Sequence, residues 1–139
     1  MTSNRAPIAV ALDLPTLEAA TTLAGAVGST VAFLKVGLET YLRDGAAGVD
    51  TIRAAAGSDV ELFLDLKLHD IPNTVAGAAR SIAALEPALL TVHASGGPAM
   101  IEAAVSALPN TQVTAVTILT SLSAQDLAQI GYEGDPLSA

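Results

Sequence analysis

The sequence contains no cysteine and no tryptophan. Disulfides and thiolate metal sites are therefore excluded, and a reducing compartment is compatible with the composition. Aromatic residues make up only 3% of the chain, so a core must be built from aliphatic side chains. Basic residues are scarce too: Lys and Arg number 6 against 14 Asp and Glu, a net charge of −8 over 139 residues. Binding a nucleic acid backbone needs a basic face, which so few cations cannot supply. The same balance argues against docking on an anionic membrane. It does not exclude a small anionic substrate, which one local cluster of cations can hold. The opening MTSNRAPIAVALDLP carries an apolar run ended by Asp13 and Pro15. That run is too short for a cleaved signal or a bilayer span, so a cytoplasmic protein is expected.

Apolar residues make up 51% of the chain and charged residues 14%, an ordinary globular composition for one domain with one core. Short apolar runs recur along it: IAVALD (8–13), AFLKVG (32–37), VELFLDLKL (60–68), LLTVHAS (89–95) and QVTAVTILT (112–120). Each reads as a strand buried on both faces or nearly so. Between them lie Ala-rich stretches with helical spacing. One stripe is Leu17, Ala20, Leu23, Ala24 and Val27. A second is Val75, Ala78, Ala79, Ile82 and Leu85, and a third is Ile101, Ala104, Val105 and Leu108. Pro15, Pro72 and Pro98 fall where a first helical turn should begin, a position that suits proline.

Strands alternating with helices of this length predict right-handed βαβ units and a parallel sheet. Eight units at this spacing need roughly 215 residues, near the lower end for a TIM (β/α)8 barrel. The chain is thus read as an α/β domain, residues 1–139, supplying about the first five βα units of such a barrel, with the C-terminal units absent. The closing GYEGDPLSA reads as a loop without a sixth strand. A complete, smaller open sheet is the other arrangement the spacing allows.

The polar pattern favours the barrel. In VELFLDLKL, Leu62, Leu64, Leu66 and Leu68 share one face, and Glu61, Phe63, Asp65 and Lys67 share the other. Phe33, Lys35 and Gly37 lie together in the second strand, as do Thr91, His93 and Ser95 in the fourth and Thr114, Val116, Ile118 and Thr120 in the fifth. Asp13 follows Ala9 and Ala11 in the first. One face stays aliphatic, while the other turns polar only toward the strand's C-terminal end, where a barrel carries its active site. The chain's two lysines, Lys35 and Lys67, both fall there.

The richest segment is DLKLHDIPNT, 65–74. Asp65 and Lys67 are two apart on a strand, roughly 7 Å at the backbone, and point the same way. Asp70 follows the strand end, and Lys35 comes from the neighbouring strand. Acidic groups interleaved with ammonium groups in a confined site make Lys67 a positioned cation, able to give a proton to a carbanion. A carboxylate held beside Asp65 and Asp70 is repelled, and loss of CO2 relieves that repulsion.

LDLKLHDIPNT closely resembles the signature of the orotidylate decarboxylases. The likeness extends to AVALD, FLKVGLE, TVHASGG and ILTS, in order, over nearly the whole chain. It implies decarboxylation of orotidine 5′-monophosphate to UMP in pyrimidine biosynthesis, without cofactor or metal. It implies that Lys67 protonates C6 of the pyrimidine and that Asp65, Lys35 and Asp70 complete the charged network. Substrate contacts are implied for Asp13, Lys35, Asp65, Lys67, Asp70, Ile71, Thr74 and Thr120, with Asp13 and Lys35 on ribose hydroxyls and Thr120 at the base. It further implies a homodimer in which Asp70 and Thr74 serve the partner's site. The family's phosphate-gripping loops follow the seventh and eighth strands, outside this sequence. The 139 residues alone are therefore expected to be nearly inert and the intact gene product active.

Other residues are given plainer roles. His93 is expected to line the barrel, and His69 to point away from Lys67 and make a structural hydrogen bond. Gly96-Gly97-Pro98 reads as a tight turn. Glu39, Tyr41, Arg43 and Asp44 read as a solvated first turn or loop. The His, Asp and Glu residues show no metal-ligand spacing. Two rival functions stand beside the decarboxylase. One is a Mg2+-dependent sugar-phosphate decarboxylase or aldolase of the same superfamily, which has an acidic residue where this chain has Lys35. The other is a non-catalytic fragment of a barrel.

Overall fold

Period-two alternation, with leucine and valine on one face, makes five segments into strands that pack on one layer of helices. The computed structural model describes residues 5–132. The strands are β1 (Ala6–Ala11), β2 (Val31–Gly37), β3 (Glu61–Leu68), β4 (Leu89–His93) and β5 (Gln112–Val116). The helices are α1 (Leu17–Val27), α2 (Leu38–Ala56), α3 (Pro72–Ser81), α4 (Pro98–Ala107) and α5 (Ala124–Gln129). All strand pairs are parallel, and the sheet order is β1-β2-β3-β4-β5. A doubly wound sheet reverses its order at a switch point, whereas a barrel adds each strand beside the last. The chain therefore supplies five consecutive units of a (β/α)8 barrel. Among the described residues, no helix is long and apolar enough to cross a membrane.

The main core lies between the sheet and α1–α2. Leu34, Val36, Leu62 and Leu64 from the strands meet Ala20, Ala24, Val49 and Ile52 from the helices. A smaller cluster joins Val92 to Val75, Met100 and Ala104. Each fully buried Leu or Ile contributes about 2 kcal/mol relative to exposure. The first two predicted helical stripes face this core. In the third, Val105 is 47% exposed and Met100 is fully buried. Met100 falls four residues before Ala104, so the helix is rotated slightly from the predicted stripe.

Several predicted boundaries shift. β1 stops at Ala11, although Leu12 N–H still donates to Lys35 O at 2.9 Å, so Asp13 lies just beyond the strand. β4 stops at His93 because Ala94–Gly96 forms a 3-10 turn, closed by Gly97 at φ +82°. β5 stops at Val116 instead of Thr120, and Thr120 lies in a turn. Pro72 and Pro98 occupy the first helical turn as expected. Pro15 instead precedes Thr16, whose side chain caps α1 by accepting from Ala19 N–H. The segment read as a solvated first turn or loop, Glu39–Asp44, forms the first turns of α2, which breaks at Gly45. Residues 133–139 of the expected closing loop lie outside the described residues.

Candidate functional site

The C-terminal ends of β1, β2 and β3 bring four predicted residues into one chain of contacts. Lys35 Nζ donates to Asp13 Oδ2 at 3.0 Å and to Asp65 Oδ2 at 3.3 Å. Lys67 Nζ donates to Asp65 Oδ1 at 2.8 Å. The order is therefore Asp13–Lys35–Asp65–Lys67, with the charges alternating. Lys35, Asp65 and Lys67 are partly buried, with Asp65 the deepest at 15% exposed, while Asp13 lies at the exposed end.

The Asp13 carboxylate is held from behind. Gly37 N–H donates to Asp13 Oδ1 at 3.1 Å. A Cβ on residue 37 would collide with that same carboxylate oxygen, so only glycine permits the approach. Two side chains from α2 grip the carbonyls flanking Asp13: Thr40 Oγ1 donates to Leu12 O at 2.9 Å and Arg43 Nη1 to Leu14 O at 2.6 Å. Arg43 is also paired with Asp44, so it is more than a solvated residue. Thr40 and Arg43 were not singled out from the sequence as site supports. The signal available was Thr40, a polar residue in the first turn after β2 that must be satisfied if buried.

β3 departs from regular geometry where the charges lie. Its pairing with β4 slips between Leu64 and Leu68, which face Leu90 and Val92, leaving Asp65, Leu66 and Lys67 in a bulge. Lys67 has φ +47°, a left-handed conformation costing a non-glycine residue about 1 kcal/mol or more. Its N–H donates to Thr91 Oγ1 at 3.0 Å, and Thr91 Oγ1 donates to Asp65 Oδ1 at 2.9 Å. The bulge turns the Lys67 ammonium back onto Asp65.

The electrostatics follow from these contacts. Burial would raise the Asp65 carboxyl, but hydrogen bonds from Lys67, Thr91 and Lys35 outweigh it and hold Asp65 below the ordinary carboxylate value. Burial would likewise lower Lys35, yet Asp13 and Asp65 keep its ammonium above the ordinary value. His93 lies below the usual imidazole value through burial, with His69 and Lys67 adding repulsion. The His69 ring sits 5.2 Å from the His93 ring. The structural hydrogen bond expected of His69 is not formed among the described residues.

The remaining predicted residues stand apart from this cluster. Asp70, Ile71 and Thr74 are exposed at the start of α3, where Asp70 Oδ1 accepts the Ile71 N–H at 2.6 Å. Thr120 is exposed in the turn after β5. An ammonium fixed on a shared carboxylate, at the rim of a parallel sheet, can stabilise and protonate a carbanion.

Comparison with known proteins points the same way. The chain is 59% identical over 129 residues to an orotidine 5′-phosphate decarboxylase of Thermobifida fusca, covering 93% of this chain and 54% of that protein. Among solved structures, an uncharacterized conserved protein of Geobacillus kaustophilus superposes with a TM-score of 0.83 at 35% identity, over 95% of this chain and 64% of that one. The orotidine 5′-phosphate decarboxylase of Lactobacillus acidophilus superposes with a TM-score of 0.79 at 33% identity, over 93% of this chain and 61% of that one. The chain spans about half the length of the curated relatives it matches. Residues 6–137 match the model of one family over nearly all of this sequence, and the chain belongs to that family, orotidine 5′-phosphate decarboxylase / HUMPS.

Proposed function

We propose that the whole protein decarboxylates orotidine 5′-monophosphate to UMP, without a cofactor, in pyrimidine biosynthesis. The observation that carries this reading is the alternating run Asp13–Lys35–Asp65–Lys67 at the C-terminal rim. The substrate carboxylate at C6 lies beside Asp65 and is repelled by it. The bond from C6 to the carboxyl carbon breaks, CO2 departs, and the electron pair stays on C6. Lys67 Nζ stabilises that charge and transfers a proton to C6, and water returns a proton to the amine. Lys35 keeps Asp65 ionised, and with Asp13 it meets the ribose hydroxyls. Thr120 serves the base.

Asp70, Ile71 and Thr74 complete the site. Asp70 and Thr74 reach the partner's site in a homodimer, in keeping with their exposure at the start of α3. The described units form part of a single barrel domain in a cytoplasmic enzyme. A Mg2+-dependent sugar-phosphate reaction is not favoured, because β2 presents the Lys35 ammonium to Asp65 where a metal site needs a carboxylate. Addition of EDTA is therefore expected to leave turnover unchanged.

The decisive test is Lys67→Ala in the whole protein, with UMP formation and orotidylate binding measured separately. We expect turnover to fall by about 10³-fold or more while binding is retained. Undiminished turnover sinks the reading.

A further inference from the structure

Thr91 is the one polar side chain of β4 that touches both charged residues of the β3 bulge, and no role was assigned to it from the sequence. It is 4% exposed, buried beneath Asp65 and Lys67. Alternation along β4 sends Leu90 and Val92 to the helix side, so Thr91 faces the inner side of the sheet. A valine would fill the same volume there. The hydroxyl is therefore not explained by packing.

Its hydrogen bonds have a fixed direction. The Lys67 N–H has only a proton to give, so Thr91 Oγ1 must accept it, at 3.0 Å. The single hydroxyl proton is then left to point at Asp65 Oδ1, at 2.9 Å. One side chain thus satisfies the backbone of Lys67, turned out of the β3–β4 ladder by its positive φ, and orients the carboxylate that the Lys67 ammonium grips. Without the hydroxyl, the part-buried Lys67 N–H is left without that acceptor, and Asp65 Oδ1 loses one of its two donors.

We infer that Thr91 is a positioning residue: its hydroxyl holds the β3 bulge in the conformation that aims Lys67 and Asp65 at the reacting carbon. This rests on the decarboxylase reading above. Thr91 touches neither substrate nor reacting atoms in this scheme. It acts through Lys67 and Asp65, so its effect falls on turnover more than on binding.

A pH readout follows from the surroundings of Asp65. Lys35 faces it from β2 and Lys67 from β3 itself, with Asp13 behind Lys35 and His93 near Lys67 on β4. Burial raises Asp65, and the hydroxyl of Thr91 is one of the donors that lower it. Removing that donor lets Asp65 take up a proton at higher pH, so the acid limb of the turnover profile moves upward.

The test compares Thr91→Val and Thr91→Ser in the whole protein, measuring kcat and KM for orotidylate from acid to neutral pH. Thr91→Val is expected to lower kcat about 10- to 100-fold with KM changed less than about threefold, as misplacement of a reacting group predicts. Its acid limb should shift upward, and Thr91→Ser should restore both kcat and the limb. A folded Thr91→Val with wild-type kcat and an unmoved acid limb overturns the inference and leaves the decarboxylase reading intact. A wild-type protein inactive on orotidylate overturns that reading, and the inference with it. If Thr91→Val does not fold, the same comparison is made between Thr91→Ser and Thr91→Cys, whose thiol is a weak donor. Equal kcat and equal acid limbs in that pair then overturn the inference.

Discussion

β3 and β5 both carry a polar residue at alternate positions, but β3 lies between two strands, while β5 pairs only with β4 among the described residues. At the end of β3, Lys35 reaches in from β2 and Thr91 from β4, and both meet on Asp65. At the end of β5 nothing comparable forms among the described residues. Thr114 is exposed, the strand stops at Val116, and Thr120 sits in a turn. Alternation decides which face a side chain takes, and flanking strands decide whether it finds partners. A polar residue at a strand end becomes an organised site when neighbours on both sides supply groups of opposite charge and matching hydrogen-bonding role.

The largest expected effect breaks the region that has its partners. Asp65→Asn keeps the shape but removes the charge that two ammonium groups share. Turnover should fall about 10³-fold in the whole protein, measured as UMP formation, because a preorganised electrostatic group is lost. The same variant carries a pH signature in stability. Asp65 is held below the ordinary carboxylate value, near 4, when folded. Its contribution is therefore fully present above that ordinary value and is lost as pH falls through the lowered one. In thermal melts, the gap between wild type and Asp65→Asn should be widest at neutral pH and close on acidification. A gap that widens toward acid would contradict the ion-pair account.

The core beneath the same two strands offers the next contrast. Leu64 of β3 is fully buried, whereas Val113 of β5 is only partly covered and packs against the smaller cluster. Leu64→Ala should cost about 3 kcal/mol by leaving a cavity between sheet and helices, and Val113→Ala should cost about 1 kcal/mol. Urea unfolding of both variants measures this. Equal losses would mean that β5 is as firmly embedded as β3, and would remove the distinction between them.

Much of this was legible in the residues. The leucines at 62, 64 and 66 and the two lysines on the opposite face point to the parallel architecture, and all four members of the charged chain, Asp13, Lys35, Asp65 and Lys67, stand among the candidates the sequence offers. The ends of elements were less legible. β5 was read to Thr120 because Ile118 and Thr120 continue the alternation, yet alternation carries no information on whether a neighbouring strand continues to pair. α2 was hidden for a different reason: Gly45 breaks it, and its two glycines with scattered polar residues blur its stripe. The bulge at Lys67 was invisible as well. Strict alternation keeps Asp65 and Lys67 parallel, but the actual contact depends on a left-handed residue and on Thr91 in another strand.

Two glycines, one in each region, give the smallest and sharpest test. Gly37 has an ordinary negative φ, and its need for glycine is steric: a Cβ there would strike Asp13 Oδ1. Gly131, after α5, has φ +87° and open space around it, so its need is conformational. Gly37→Ala should cost about 1–2 kcal/mol, in the range of overpacking, and Gly131→Ala about 1 kcal/mol through backbone strain. The similar stability costs conceal different consequences. The alanine at 37 must push Asp13 away from the Gly37 N–H, and Lys35 then loses one of its two carboxylates. Turnover should fall about tenfold, since one charge-assisted hydrogen bond in the network is worth about 1.5 kcal/mol or more. The alanine at 131 lies among the described residues farthest along the chain from that network and should leave turnover unchanged. Melting curves paired with steady-state kinetics on the two variants separate the causes. A Gly37→Ala protein that is destabilised but fully active would show that the grip of Asp13 on Lys35 matters to folding and not to the chemistry at the β3 rim.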